Sequence, residues 1–286
     1  MIVAKRTLSV KRVDRTRNGG GERRRPMKVQ TVLSPHRIIA VAAGIALFVS
    51  SPVRADPLTL WKIVHDECVA HQKAGEKPAP CESVVSTGGE QGGIAILKDL
   101  VGASQMLAIP TRRITGIEDP QLLAPDAPDM FGEAWKGRVF VESRLQHTLP
   151  REYVGIAVNA EWKRSQYQLH LHVDCLAKNV VDALADYSSK LDNNWRKMPF
   201  GLNGRVYLAR RVDSADLTDV RPLLLLADGV EGARQNMKDY SLAAVGATFD
   251  GKPGFILLAD RLNSDGGGEA EELEDHDCAI VLQSPP

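Results

Sequence analysis

The sequence predicts an α+β domain over residues 56–286, and three observations carry that expectation. Short apolar runs at residues 94–97, 106–109, 154–159 and 242–249 have the length of strands. Tight polar or glycine-containing breaks between neighbouring runs suit antiparallel hairpins better than the long crossovers of a parallel sheet. Between these runs, apolar residues recur at helical spacing in three stretches of ten residues or more.

The elements follow in order. Asp56-Pro57 supplies a helix start, with Asp as N-cap and Pro at the first helical position. Leu60, Ile63, Val64 and Cys68 continue at helical spacing, and the stretch from Gly75 to Pro80 ends the helix. Residues 94–97 and 106–109 read as a hairpin, with Pro110 stopping its second strand. Phe131, Trp135, Val139 and Phe140 mark a second helix extending to about Gln146. Residues 154–159 and 166–176 are expected as two strands joined by the polar turn 161–164. A third helix is expected at 180–191 and a strand at 206–210. Beyond it come an apolar run at 223–227, strands near 242–249 and 255–259, and a last strand near 279–282. Residues 264–274 hold three glycines and four glutamates and are expected as a mobile loop.

The formal net charge is zero, yet the charge is unevenly placed. Twelve of the 36 Lys and Arg lie in residues 1–55 against two of the 36 acids, so the body keeps 24 basic and 34 acidic groups, a net of about −10. An acidic body argues against nucleic acid as a partner, because phosphate backbones need a positive footprint. Residues 27–55 read as an export segment. Met27, Lys28 and Arg37 make a charged start, residues 38–49 form an apolar run, and Val53-Arg54-Ala55 supplies a small-residue cleavage site. This is a signal peptide or a retained N-terminal membrane anchor; either way the body is exported. Residues 1–26 are Arg-rich without apolar period and read as a disordered basic leader or an over-extended start. Cysteine usage agrees with export, since Cys68, Cys81, Cys175 and Cys278 are an even number suited to two disulfides. Three pairings are open. Cys68–Cys81 is the preferred short bridge, and Cys175–Cys278 would then pin the C-terminal segment.

The chemistry concentrates at Gln166-Tyr167-Gln168-Leu169-His170-Leu171-His172-Val173-Asp174-Cys175. On a strand, Leu169, Leu171 and Val173 would point into the core while Gln168, His170, His172 and Asp174 line the other face. Two imidazoles on one open face have three readings. They are unemployed strand histidines, or a metal pair completed by Asp174 or His276. Alternatively they attack phosphorus, one as nucleophile and one as donor to the charged oxygens.

Gln-Leu-His-Leu-His-Val resembles the histidine-triad motif, in which histidines alternate with apolar residues. Residues 107–114, Leu-Ala-Ile-Pro-Thr-Arg-Arg-Ile, resemble the strand and exit that such proteins carry. Asp56-Pro57-Leu58, Glu67-Cys68, Pro80-Cys81, Ile96-Leu97-Lys98-Asp99, Tyr207 to Val212 and His276-Asp277-Cys278 are similar to one branch, the bacterial CDP-diacylglycerol pyrophosphatases. That likeness covers most of residues 57–282. It implies a histidine-triad-like antiparallel sheet with flanking helices. It also implies hydrolysis of CDP-diacylglycerol to CMP and phosphatidate, with no cofactor and no metal. His170 matches the nucleophile, His172 a phosphate donor, and Asn159 and Gln166 the polar positions that bind phosphate. Gln168 stands where the family pattern has histidine; its amide can still donate and accept, but carries no titrating proton. Arg112 and Arg113 could meet the diphosphate. The implied setting is the periplasmic face of a bacterial inner membrane, with the lipid substrate in that membrane. Alternatives are a broader nucleotide pyrophosphatase or nucleotidyl transferase, and a weakly catalytic nucleotide-lipid or metal-binding periplasmic protein. Among the tryptophans, an exposed one could touch a membrane interface.

Overall fold

The computed structural model describes residues 56–283, except 87, 88, 90 and 91. The expected leader at 1–26 and the signal or anchor at 27–55 lie outside the described residues. The strands are β1 (Ser83–Val85), β2 (Ile94–Lys98), β3 (Met106–Pro110), β4 (Val154–Val158) and β5 (Leu171–Cys175), then β6 (Arg196–Lys197), β7 (Leu208–Val212), β8 (Tyr240–Phe249) and β9 (Lys252–Arg261). They form one antiparallel sheet in the order β1-β2-β3-β5-β4-β8-β9-β7-β6. The helices are α1 (Thr59–Lys62) and α2 (Val69–Lys73), joined by a π-type turn at Ile63–Cys68, then α3 (Met130–Leu145), α4 (Lys178–Tyr187), α5 (Pro222–Gly229) and α6 (Ala279–Gln283). Among the described residues no helix is long and apolar enough to cross a membrane.

Side-chain alternation sorts the sheet into two unlike faces. One parity places Ile96, Met106, Ala108, Ile156, Leu171, Val173, Leu242 and Leu257 in a single core. The helix α3 closes this face with Met130, Phe131, Ala134, Trp135 and Val141, and its first turn is capped by Asp129, whose carboxylate accepts from Gly132 N–H at 3.2 Å. Burying each such aliphatic side chain contributes on the order of 1.5–3 kcal/mol. The other parity splits into two clusters. Ala95, Leu97, Leu107 and Ile109 pack under Val64, Cys68 and Val69 of the N-terminal helical segment. Ala157, Ala243, Val245 and Leu258 pack under Val180 and Leu184 of α4. Between these two clusters the middle of the second face, over β5, is left to the polar side chains of His172 and Asp174.

The hairpin β2–β3, the helices α3 and α4 and the long pair β8–β9 stand where the sequence places them. Both disulfides are formed, Cys68–Cys81 and Cys175–Cys278. Several expectations are corrected. The helix after Asp56-Pro57 begins at Thr59, because the Asp56 carboxylate accepts from Leu58 N–H at 2.9 Å and holds a turn ahead of the helix. Residues 166–170 are not strand. Leu169 N–H donates to Ile114 O at 2.7 Å instead of entering the ladder, and β5 starts at Leu171. The strand expected at 206–210 lies two residues later, as β7. Residues 223–227 fall in the helix α5. Residues 279–282 belong to the helix α6, since the Asp275 carboxylate accepts from Ala279 N–H at 2.9 Å; a short apolar run does not distinguish the two periods. The glycine- and glutamate-rich stretch is packed: Ala270 and Leu273 are fully buried in a 3-10 turn, Ala270–Leu273.

Candidate active site

His172 sits on β5 opposite Leu107 of β3 and Ala157 of β4, in the polar gap on the second face. His170 precedes the strand, and the two rings meet edge to face with centroids 5.0 Å apart. Both line a cavity of about 490 Å³. Its apolar wall comes from Leu60, Ile63, Leu97 and Leu107. Its polar wall comes from Lys98, Asp99, Asn159, Arg164 and Glu271.

His170 has a defined tautomer. Nδ1 lies 2.8 Å from the Gln168 carbonyl oxygen, which can only accept, so Nδ1 carries the proton and Nε2 keeps its lone pair. Burial pushes its pKa below the ordinary imidazole value, which favours the neutral, nucleophilic ring. His172 is held well down for the same reason, with the His170 and His276 rings adding in the same direction.

A chain of buried polar groups backs His172. Its Nδ1 lies 3.1 Å from Glu271 Oε1 and 3.9 Å from Asp99 Oδ2. Glu271 accepts from Asn159 Nδ2 at 2.9 Å, and its own backbone N–H donates to Asn159 Oδ1 at 3.2 Å. His276 Nε2 stands 3.6 Å from Glu271 Oε1, while Nδ1 is 3.1 Å from Oδ2 of the fully buried Asp174. Ser104 Oγ donates to the other Asp174 oxygen at 3.1 Å. The hydrogen bond to Asp174 raises the His276 pKa, and burial raises that of Glu271.

The residues singled out in the sequence fare differently. His170, His172, Asn159 and Gln166 are brought together at the cavity. The Gln166 amide is occupied there: Oε1 accepts from Leu60 N–H at 3.1 Å and Nε2 donates to Asp56 O at 3.2 Å, stitching α1 to the wall. Gln168 does not join them. It is fully buried, and Nε2 donates to Pro110 O at 2.9 Å and Arg112 O at 3.0 Å. Arg112 lines a separate cavity beside Asp126, 3.6 Å away, and Arg113 lies over the Trp61 ring at 5.4 Å. Glu271 and Arg164 went unnoticed in the sequence, because a glutamate among glycines and a turn arginine both read as solvated. Lys98 and Asp99 lie inside a segment that carries the family likeness, and that was the available signal.

A metal ion could be held by Asp99, His172 and Glu271, whose ligand atoms all lie within 4.8 Å of one another. Asp174 lies beside Cys175 and Cys278, but both sulfurs are spent in the disulfide.

The sequence profile of the CDP-diacylglycerol pyrophosphatase family matches residues 55–282. The chain belongs to that family. A CDP-diacylglycerol pyrophosphatase of Yersinia pestis is 37% identical over 228 residues, covering 79% of this chain and 86% of the relative. In this member of the CDP-diacylglycerol pyrophosphatase family the matched region contains both histidines, both disulfides and the whole polar network behind His172.

Proposed function

We propose that the chain hydrolyses the diphosphate of CDP-diacylglycerol to CMP and phosphatidate, with His170 as nucleophile. The observation that carries this is the Nδ1–H bond from His170 to the Gln168 carbonyl, which leaves Nε2 as the lone-pair nitrogen of a ring lining the cavity. Nε2 attacks the cytidine-side phosphorus; a P–N bond forms, the bridging P–O bond breaks, and phosphatidate leaves with the electron pair. Water then attacks the same phosphorus, the P–N bond breaks, and CMP and free His170 are released. Phosphatidate is a good leaving group, so most of the barrier is lowered by positioning and by donors at the non-bridging oxygens. His172 supplies such a donor through Nε2–H, in the tautomer with Nδ1 unprotonated, and Asn159 through the second hydrogen of Nδ2.

The test uses the full chain in detergent with CDP-diacylglycerol labelled in the cytidine-side phosphate. Wild type quenched in alkali, which spares the acid-labile P–N bond, should carry the label covalently, and His170→Ala should carry none and lose at least about a thousandfold in turnover. Turnover retained by His170→Ala rejects the assignment. A second reading, a metal-dependent hydrolase, is favoured by one observation. His172 Nδ1 is buried and 3.1 Å from Glu271 Oε1, yet makes no properly directed hydrogen bond. Stoichiometric zinc or manganese in the purified protein, with activity abolished by EDTA, would select that reading.

A further inference from the structure

We propose that the mouth of the cavity docks onto a phospholipid bilayer. Its apolar contacts are Leu100 and Val101 on the β2–β3 hairpin and Trp162 and Tyr167 on the facing turn. The inference rests on the hydrolase reading above and names the surface on which that reaction takes place. Among the described residues six large apolar side chains are well exposed; two of them line this mouth, and two more adjoin its opposite wall in the sequence. Leu100 is 100% exposed and Val101 53%; both line the cavity. Trp162, 72% exposed, and Tyr167, 49%, flank the stretch from Lys163 to Gln166 that forms the opposite wall. Isolated apolar residues on a surface need no explanation, but two lining one opening with two more adjoining its wall do.

The hairpin tip is built to leave water. Lys98 Nζ donates to the carbonyl oxygens of Asp99 at 2.5 Å, Val101 at 3.2 Å and Gly102 at 2.8 Å. Carbonyls satisfied from within do not have to be stripped of water when the tip enters an interface. On the other wall, Tyr167 N–H donates to Pro57 O at 2.7 Å and Gln166 Nε2 to Asp56 O, so the turn is tied to the start of the body. The described chain therefore begins at this same rim. In the sequence, the apolar run 38–49 is separated from Asp56 by six residues.

A bilayer is the occupant that this arrangement fits. Trp and Tyr favour the interface between headgroups and acyl chains, where an apolar ring and a polar tip are both satisfied. The scissile diphosphate of a two-chain lipid stays within a headgroup's length of that interface, so an opening that faces away from it would have to extract the lipid.

The test compares the wild-type full chain with L100D/V101D on two substrates. One is long-chain CDP-diacylglycerol in vesicles of phosphatidylethanolamine and phosphatidylglycerol; the other is its water-soluble dibutyryl analogue. The variant should lose about tenfold more on vesicles than on the soluble substrate. Equal vesicle rates overturn the proposal. Equal loss on both substrates also counts against it, by assigning the hairpin to the chemistry. A second measurement reconstitutes wild type and W162F in vesicles with brominated acyl chains, and the quenchable emission should vanish with Trp162. Unchanged quenching overturns the proposal, and so does a detergent-stable dimer that the hairpin variant dissociates, since that gives the face to a second copy. Failure of the wild type on both substrates instead sinks the hydrolase reading, and the Trp162 quenching then decides docking by itself.

Discussion

Which nitrogen of His170 keeps its lone pair is decided by a backbone carbonyl two residues earlier. Gln168 O accepts a hydrogen bond from Nδ1–H, and burial keeps the ring neutral below its ordinary pKa of 6.5. The proposed nucleophile is lost only when Nε2 is protonated, and a depressed pKa moves that loss to lower pH. The acid limb of kcat/KM should therefore fall below pH 6.5; a limb at or above that value would contradict a buried, neutral His170. Gln168 acts differently from a member of a catalytic triad. Its amide donates to both Pro110 O and Arg112 O in a fully buried site, and no imidazole tautomer offers two N–H groups from one atom. Gln168→His should thus destabilise the protein by about 1–3 kcal/mol, read as a lower urea midpoint, without raising turnover. A gain in rate would return this position to the chemistry.

At the scale of elements, the cavity exists because the second sheet face is covered in two separate pieces. The N-terminal helical segment covers β2 and β3, and α4 covers β4, β8 and β9. The first piece is short, and the Cys68–Cys81 bridge closes it onto the strand beyond. A loop of this length contributes roughly 3 kcal/mol by restricting the unfolded chain. Replacing both cysteines by serine should lower unfolding stability by about that much, measured in urea, and should raise KM more than it lowers kcat. Leu60 and Ile63 line the mouth, whereas His172 is held on β5 and His170 directly ahead of it. An equal fall in kcat would place the helical segment in the catalytic step instead.

Across the whole molecule, the C-terminal segment is fastened to the middle strand by the Cys175–Cys278 bridge and by His276 on Asp174. The His276 pKa is raised in the folded state, chiefly by the bond to Asp174. A raised pKa means the folded protein binds this proton more tightly than the unfolded chain does. The contribution is full below about pH 6.5 and is lost as pH rises through the elevated folded value. Urea midpoints of the wild type should fall across that window, and His276→Gln should flatten the fall. An identical pH profile in the variant would remove His276 from the linkage. Gly246 shows how closely the chain packs on the sheet: a Cβ there would stand 2.1 Å from the Arg151 carbonyl oxygen.

Strand and helix periodicity by itself determined the α+β class, the β2–β3 hairpin, α3, α4 and the alternation that sends Leu171 and Val173 to the core. Burial is periodic, and the chain records it locally. The likeness of the Gln-Leu-His-Leu-His segment and its neighbours to one family singled out His170 and His172, because the two histidines lie two residues apart on one stretch of chain. Only the tertiary structure decided the rest. Glu271 reaches His172 across 99 residues of sequence, and Gln168 turns away to hold the exit of β3. Arg112 and Arg113 find Asp126 and Trp61 instead of the cavity. Residues 279–282 coil because Asp275 caps them. Each of these outcomes depends on partners distant in sequence or on a local cap competing with an ambiguous apolar run, and neither leaves a periodic trace in the chain.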